Sequence, residues 1–147
     1  MGESAGYAYL ATKDALIMAG IDEEKLDSPR IGIVAGSGGA STRVMVASGD
    51  IAREKGPKRI GPYGVTKSMS SSISAIIATA LKLKGINYSI SSACATSAHC
   101  IGHAADLIKS GQQDIVIAGG SDDEHWSSSC LLYTSDAADE WWCGVVG

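Results

Sequence analysis

The chain has 147 residues, 45% of them hydrophobic and 19% charged, with a formal net charge of −4. That length is enough for one domain with its own core. No apolar run approaches the roughly 20 residues that span a bilayer, which argues against a membrane-spanning chain, and the acidic balance argues against bulk nucleic-acid binding. Residues 1–9 carry no Lys or Arg and no apolar block, so no secretory signal is read there and a cytoplasmic location is expected. Eighteen glycines with three prolines and no Phe suggest tight turns in an α/β protein rather than disorder.

The first predicted element is a helix over Gly6 to Ala19, where Leu10, Ala11, Ala15, Leu16 and Ala19 recur at helical spacing and Gly20 suits the C-terminal cap. A polar connection closed by Pro29 follows. Ile31 to Ala35 is short, apolar and rich in β-branched residues, as a buried strand is. The glycine-rich run Gly36 to Gly39 comes next, then a predicted helix over Ser41 to Arg53. The segment EKGPKRIGPYG is a turn-rich loop carrying Lys55, Lys58 and Arg59. A helix is predicted over Met69 to Lys84, ended by Gly85, and a strand over Asn87 to Ser92. A further helix runs from Ala95 to Ser110, ended by Gly111, and a buried strand from Asp114 to Ala118. Strands alternating with helices predict a mostly parallel sheet covered on both faces. The helices 69–84 and 95–110 have small-residue faces and are expected to be buried on more than one side.

After Trp126 the pattern breaks. The string CLLYTSDAADE, Cys130 to Glu140, resembles the conceptual translation of a transposon-based sequencing adapter. The native domain is therefore expected to occupy 1–129 and the tail 130–147 to lie outside it.

The four cysteines, Cys94, Cys100, Cys130 and Cys143, form no CxxC pair and fit no zinc spacing, so no metal site is expected. Cys94 stands between a predicted strand and a predicted helix. Such an elbow projects a side chain into open space. The helix start sets unpaired N–H groups and the positive end of a dipole beside the sulfur, which suits a nucleophile. Ser91, Ser92, Ala93, Ala95, Thr96, Ser97 and Ala98 are all small and would let a carbonyl reach it. The backbone N–H of Cys94 could stabilise an oxyanion. These residues alone leave two readings, a nucleophilic cysteine and a buried structural thiol. The segment GSGGAS follows a strand, as phosphate loops do, yet lacks both GxGxxG spacing and the Lys-Ser/Thr of a P-loop.

The segment YSISSACATSAHCIGHA, Tyr88 to Ala104, resembles the active-site segment of the β-ketoacyl-acyl carrier protein synthases, and three more segments agree in order. They are PRIGIVAGSGGAS (29–41), GPYGVTKSMS (61–70) and QDIVIAGGSDDEHW (113–126). GPYGVTKSM together with SACATSAHC is similar to synthase I more than to synthase II. The resemblance implies a thiolase-like layered αβαβα fold, here part of its N-terminal half, with a mostly parallel mixed sheet and a buried nucleophile helix. It implies that Cys94 takes an acyl chain from acyl carrier protein and that the acyl-enzyme condenses with decarboxylated malonyl-acyl carrier protein. It implies no cofactor beyond the phosphopantetheine arm of the carrier, and a homodimer that joins near the Cys94 segment. Gly39 and Met69 match acyl-pocket positions, where a glycine admits close approach and a methionine adapts its shape. Lys55 and Lys58 match positions that dock the acidic carrier. Read without the resemblance, Gly39 is a turn glycine, Met69 a core residue, and the two lysines a solvated loop.

The family's decarboxylation histidines lie in HGTxT and GHxxGAAG segments, and neither string occurs here. His99 and His103 sit four apart on one helix face and read as satisfied helix histidines rather than metal ligands; His125 reads as a loop residue. The family's N-terminal strand and hairpin are also missing from the sequence, so the chain is expected to be an internal piece, inactive alone and poorly soluble alone. The alternatives are a polyketide-type ketosynthase or a non-catalytic partner of the same fold; the retained Cys94 argues against the latter.

Overall fold

A computed structural model describes residues 1–39 and 41–126. The expected tail at 130–147 and the domain end at 129 lie outside the described residues. The helices are α1 (Glu3–Ala19), α2 (Thr42–Lys55), α3 (Gly64–Ser68), α4 (Ser72–Ala80) and α5 (Thr96–Lys109). The strands are β1 (Ile31–Gly36), β2 (Asn87–Tyr88) and β3 (Ile115–Gly120), with short 3-10 turns at Glu23–Leu26, Pro57–Arg59 and Ala93–Ala95. The sheet order is β2-β1-β3, and every pairing among the described residues is parallel, with Ile31 beside Ile115 and Gly36 beside Gly120. The mixed pairing expected from the resemblance does not occur among them.

β1 is the centre of the molecule, and all six of its residues are buried. A strand with helices on both faces must be apolar on both, which is why the run IGIVA does not alternate with polar residues. Ile31, Ile33 and Ala35 pack with Ile73, Ile77 and Ala78 of α4 and with Ala5 and Leu16 of α1. Val34 packs on the other face with Cys100 and Leu107 of α5. Full burial of side chains such as Ile33, Ile73 and Ile77 is worth about 1.5–3 kcal/mol each. α1 ends at Gly20 in the left-handed conformation (φ 66°), its N–H returning to Ile17 and Leu16. Ser41 caps α2 by accepting the Val44 N–H at 3.3 Å.

Three expectations are corrected. The helix predicted over Met69 to Lys84 is shorter at both ends. Met69 sits in an extended joint between α3 and α4, and Lys82 turns left-handed (φ 55°). The left-handed Lys82 closes the helix, the Leu83 N–H returning to the Ala78 carbonyl at 3.0 Å, and the Gly85 N–H then bonds the Ile31 carbonyl at 3.0 Å. The strand predicted to Ser92 ends at Tyr88, since the serines that follow turn into side-chain hydrogen bonds with the β1 edge: Ser89 Oγ donates to the Ala35 carbonyl (2.5 Å) and Ser91 Oγ to that of Ser37 (2.9 Å). α5 is buried on one side only among the described residues; Ile101 and Ile108 on its outer side are exposed.

Candidate functional site

Cys94 lies in the 3-10 turn Ala93–Ala95 that opens α5, and its side chain is exposed. The turn is entered through Ala93, whose φ of 49° is left-handed and unusual for a residue with a side chain. Thr96 secures it. Its hydroxyl accepts the Ser92 N–H (2.9 Å) and donates to the Ala93 carbonyl (2.8 Å). Strain of this kind persists only where neighbours over-determine it, and such places concentrate at functional sites. Here Cys94 lines a cleft of about 190 Å³.

That cleft is walled by Gly36 at the end of β1, Gly120 and Ser121 at the end of β3, Asp122, and Thr96 and Ser97 of α5. It therefore sits outside the carboxyl ends of parallel strands, where α/β sheets bind ligands. Two glycines make the approach possible. A Cβ at Gly36 would run into the carbonyl of Ile90, and one at Gly38 would stand 2.6 Å from the carbonyl of Ala93. The glycine-rich run is thus a backing plate for the elbow.

The other cysteine of this helix contrasts with Cys94. Cys100 is fully buried in the α5 face of the core. Burial pushes its thiol up from the ordinary range, against smaller opposing contributions from backbone groups at Ile90, Gly119 and Gly36.

The two expected acyl-pocket residues are not brought into one cavity. Gly39 is exposed, its N–H donating to Asp122 Oδ1 at 3.3 Å beside the Cys94 cleft. Met69 lines a separate apolar groove of about 540 Å³ with Met1, Tyr63 and Ile76. Lys55 closes α2, Lys58 lies in the following 3-10 turn, and both are exposed alongside Arg59. His99 and His103 have hydrogen-bond partners as expected, His99 Nδ1 with Ser92 Oγ at 2.6 Å and His103 Nε2 with the Tyr88 hydroxyl. His125 lies in a loop, its ring 5.4 Å from that of Trp126. Among the described residues no group of three or more His, Cys, Asp or Glu could hold a metal ion, and no helix is long and apolar enough to cross a membrane.

Sequence reasoning gave Asp122 no role. Its carboxylate walls the Cys94 cleft and accepts from the Ser37 hydroxyl, whose position lies 85 residues earlier in the chain. The available signal was a carboxylate two residues after the Gly119-Gly120 pair that ends a strand.

The fold and site together define a class, the small parallel α/β proteins that present an exposed cysteine at the start of a helix, beside the strand ends. Within it the comparisons are specific. Residues 1–138 match the family described as Beta-ketoacyl synthase, N-terminal domain, and the chain belongs to that family. The 3-oxoacyl-[acyl-carrier-protein] synthase 1 of Haemophilus influenzae is 50% identical over 127 residues, covering 86% of this chain and 31% of that protein. The crystal structure of a β-ketoacyl synthase from Burkholderia phymatum superposes with a TM-score of 0.81 at 26% identity, covering 93% of this chain and 34% of that one. A type II polyketide ketosynthase in complex with its acyl-carrier protein superposes at 0.83, covering 92% of this chain and 40% of that one; at 22% identity it shares the fold. The chain spans about a third of the length of the curated relatives it matches.

Proposed function

We propose that the protein to which this chain belongs is a 3-oxoacyl-acyl carrier protein synthase of fatty-acid synthesis, with Cys94 as its nucleophile. The observation that carries this reading is the exposed Cys94 on the Ala93 elbow, opening into a cleft at the strand ends. The sulfur attacks the thioester carbonyl of an acyl carrier protein. A carbon–sulfur bond forms to Cys94, the bond to the phosphopantetheine sulfur breaks, and that thiol takes up the proton that Cys94 gives up. The backbone N–H of Cys94 faces the developing oxyanion. The acyl-enzyme then condenses with the carbanion left when malonyl-acyl carrier protein loses carbon dioxide; a carbon–carbon bond forms, the bond to Cys94 breaks, and the products are a 3-oxoacyl-acyl carrier protein and a Cys94 thiolate that regains its proton from water. Histidines for that second half would come from the HGTxT and GHxxGAAG segments, which this sequence does not contain.

In this reading Lys55 and Lys58 meet the acidic carrier protein, since exposed cations at a loop steer an anionic partner and raise its on-rate. Gly39 and Met69 border the path of the acyl chain. No metal or organic cofactor is used beyond the carrier's phosphopantetheine, and the protein works as a cytoplasmic homodimer. The polyketide alternative draws on structures that share the fold, whereas the named relatives near half identity are fatty-acid type synthases.

The test is acyl transfer on the full-length protein. Incubation with an acyl-acyl carrier protein should leave the acyl group on the peptide containing Cys94, and Cys94→Ala should abolish the adduct. An adduct that survives Cys94→Ala, or none in the wild type, overturns the assignment.

A further inference from the structure

The loops that leave β1 and β3 run side by side over the Cys94 elbow. They are joined by backbone, with the Ser121 N–H donating to the Gly36 carbonyl at 3.2 Å, and by two adjacent carboxylates. Asp122 Oδ1 accepts from the Ser37 hydroxyl and from the Gly39 N–H at 3.3 Å. Asp123 Oδ2 accepts from the Ser41 hydroxyl at 2.5 Å. The first carboxylate holds Ser37 and Gly39, and the second holds Ser41, which also caps α2.

We propose that Asp122 is a positioning residue for Cys94, its carboxylate latching the 37–39 loop so that this loop fixes the elbow from behind. The connection is short and continuous. The Ser37 hydroxyl is held by Asp122, while the Ser37 carbonyl accepts from Ser91 Oγ at 2.9 Å, three residues before Cys94. Gly38 lies so close to Ala93 that no side chain fits between them. A loop released from Asp122 would swing away from Ala93, and the left-handed Ala93 would lose the backing that offsets its strain. Asp122 itself lines the cleft, so the latch sits at the mouth through which a thioester must enter. The inference rests on Cys94 being the acylated nucleophile, and its test reads the latch apart from that reaction.

The experiment measures two rates at Cys94 in the full-length protein: alkylation by iodoacetamide, followed on the Cys94 peptide by mass spectrometry, and acylation by an acyl-acyl carrier protein. Asp122→Ala should slow both by about 10- to 100-fold, the penalty of a misplaced reacting group. Asp122→Asn keeps an acceptor oxygen for Ser37 and Gly39 and should recover most of the rate. Ser37→Ala removes the other end of the same contact; it should slow both rates like Asp122→Ala, and the double variant should be no slower than either single one. Ser37→Ala also keeps the test alive where Asp122→Ala fails to fold. Wild-type rates in folded Asp122→Ala or Ser37→Ala would overturn the latch. So would Asp122→Asn as slow as Asp122→Ala, because the charge and not the contact would then matter, and so would additive single effects. A wild type whose alkylation depends on Asp122 but which accepts no acyl group leaves the latch standing and sinks the proposed function.

Discussion

The two faces of the sheet are finished to different degrees. On one face α5 lies across both β1 and β3, and Val34, Ile86, Ile90 and Val116 close around Cys100 and Leu107. On the other, α4 covers β1, and Ile115 and Ile117 of β3, partly buried like Val116 on the first face, have an apolar groove of about 540 Å³ rather than a helix across them. Ala8, Ala11 and Ala15 of α1 line it with them. The outer side of α1 exposes Leu10, Ile17 and Met18, at 63%, 75% and 88%. Contiguous apolar surface of this kind is normally covered in a soluble protein. Cys94 hangs from the closed face. Its elbow, the glycines behind it and the Asp122 carboxylate beside it all come from residues 36–122, so the surroundings of Cys94 are built within this chain even though the opposite face is open.

The largest effect that sharpens this contrast is a matched pair of truncations in the full-length protein. Leu107→Ala cuts a buried side chain on the closed face and should cost about 2–5 kcal/mol in denaturant unfolding. Ile117→Ala on the open face removes a side chain that these residues bury only in part and should cost less than Leu107→Ala if the groove stays open in the whole protein. Equal losses would show that the groove is closed there by other parts of the molecule, and the contrast would belong to this segment alone.

What the sequence disclosed follows the same division. The elements whose partners are near in the chain, or whose burial is complete, were legible: β1 from its unbroken apolar run, α5 from its spacing, the end of α1 from Gly20, and the elbow at Cys94 from its place between strand and helix. Ser89 to Ser92 were not, because the same letters fit a strand, and what ends it is a set of serine bonds to Ala35 and Ser37, 54 residues away. Asp122 was illegible for the same reason, its partner Ser37 being 85 residues distant. Met69 read as helical because its neighbours are small and apolar; the joint that frees it depends on Ser72 Oγ reaching back to the Thr66 carbonyl. Gly39 and Met69 share a reading only through resemblance, and these residues hold them in separate places.

A smaller effect tests the strand-end loops. Ser41 is buried and serves twice, accepting the Val44 N–H as the α2 cap and donating to Asp123. The other carboxylate oxygen, Asp123 Oδ1, is buried and has no hydrogen-bond partner among the described residues. Ser41→Ala therefore removes a cap and strips the buried carboxylate of its hydroxyl donor. The expected loss is about 1–3 kcal/mol of unfolding free energy. Ser41→Asn, which caps equally well but is bulkier, should not restore it, because the buried site has no room for the larger amide.

The smallest effect lies at the opposite end of the same two strands. Arg30, just before β1, forks onto Asp114, just before β3: Nε to Oδ2 at 3.1 Å and Nη2 to Oδ1 at 2.5 Å, with Nη1 donating to the Gly111 carbonyl at 2.9 Å. The hydrogen bonds from Arg30 hold the Asp114 carboxyl below the usual carboxylate range, and the same contact raises the guanidinium. A carboxyl depressed in the folded state stabilises at every pH above its unfolded value, about 3.9, and loses that contribution as the pH falls through the lowered folded value. Both groups are exposed, so the contribution is small and weakened by salt. Asp22, lowered by its hydrogen bond from Lys25, titrates in the same acid range, so the melting curve of the wild type alone mixes the two. The difference in Tm between wild type and Asp114→Asn separates them. It should be constant from pH 7 to about pH 5 and shrink to nothing below the lowered value, and 1 M salt should flatten it throughout. A difference that persists undiminished at pH 2 would mean that Asp114 acts through neutral hydrogen bonds to the strand ends, and that the charge of Arg30 contributes nothing to holding β1 against β3.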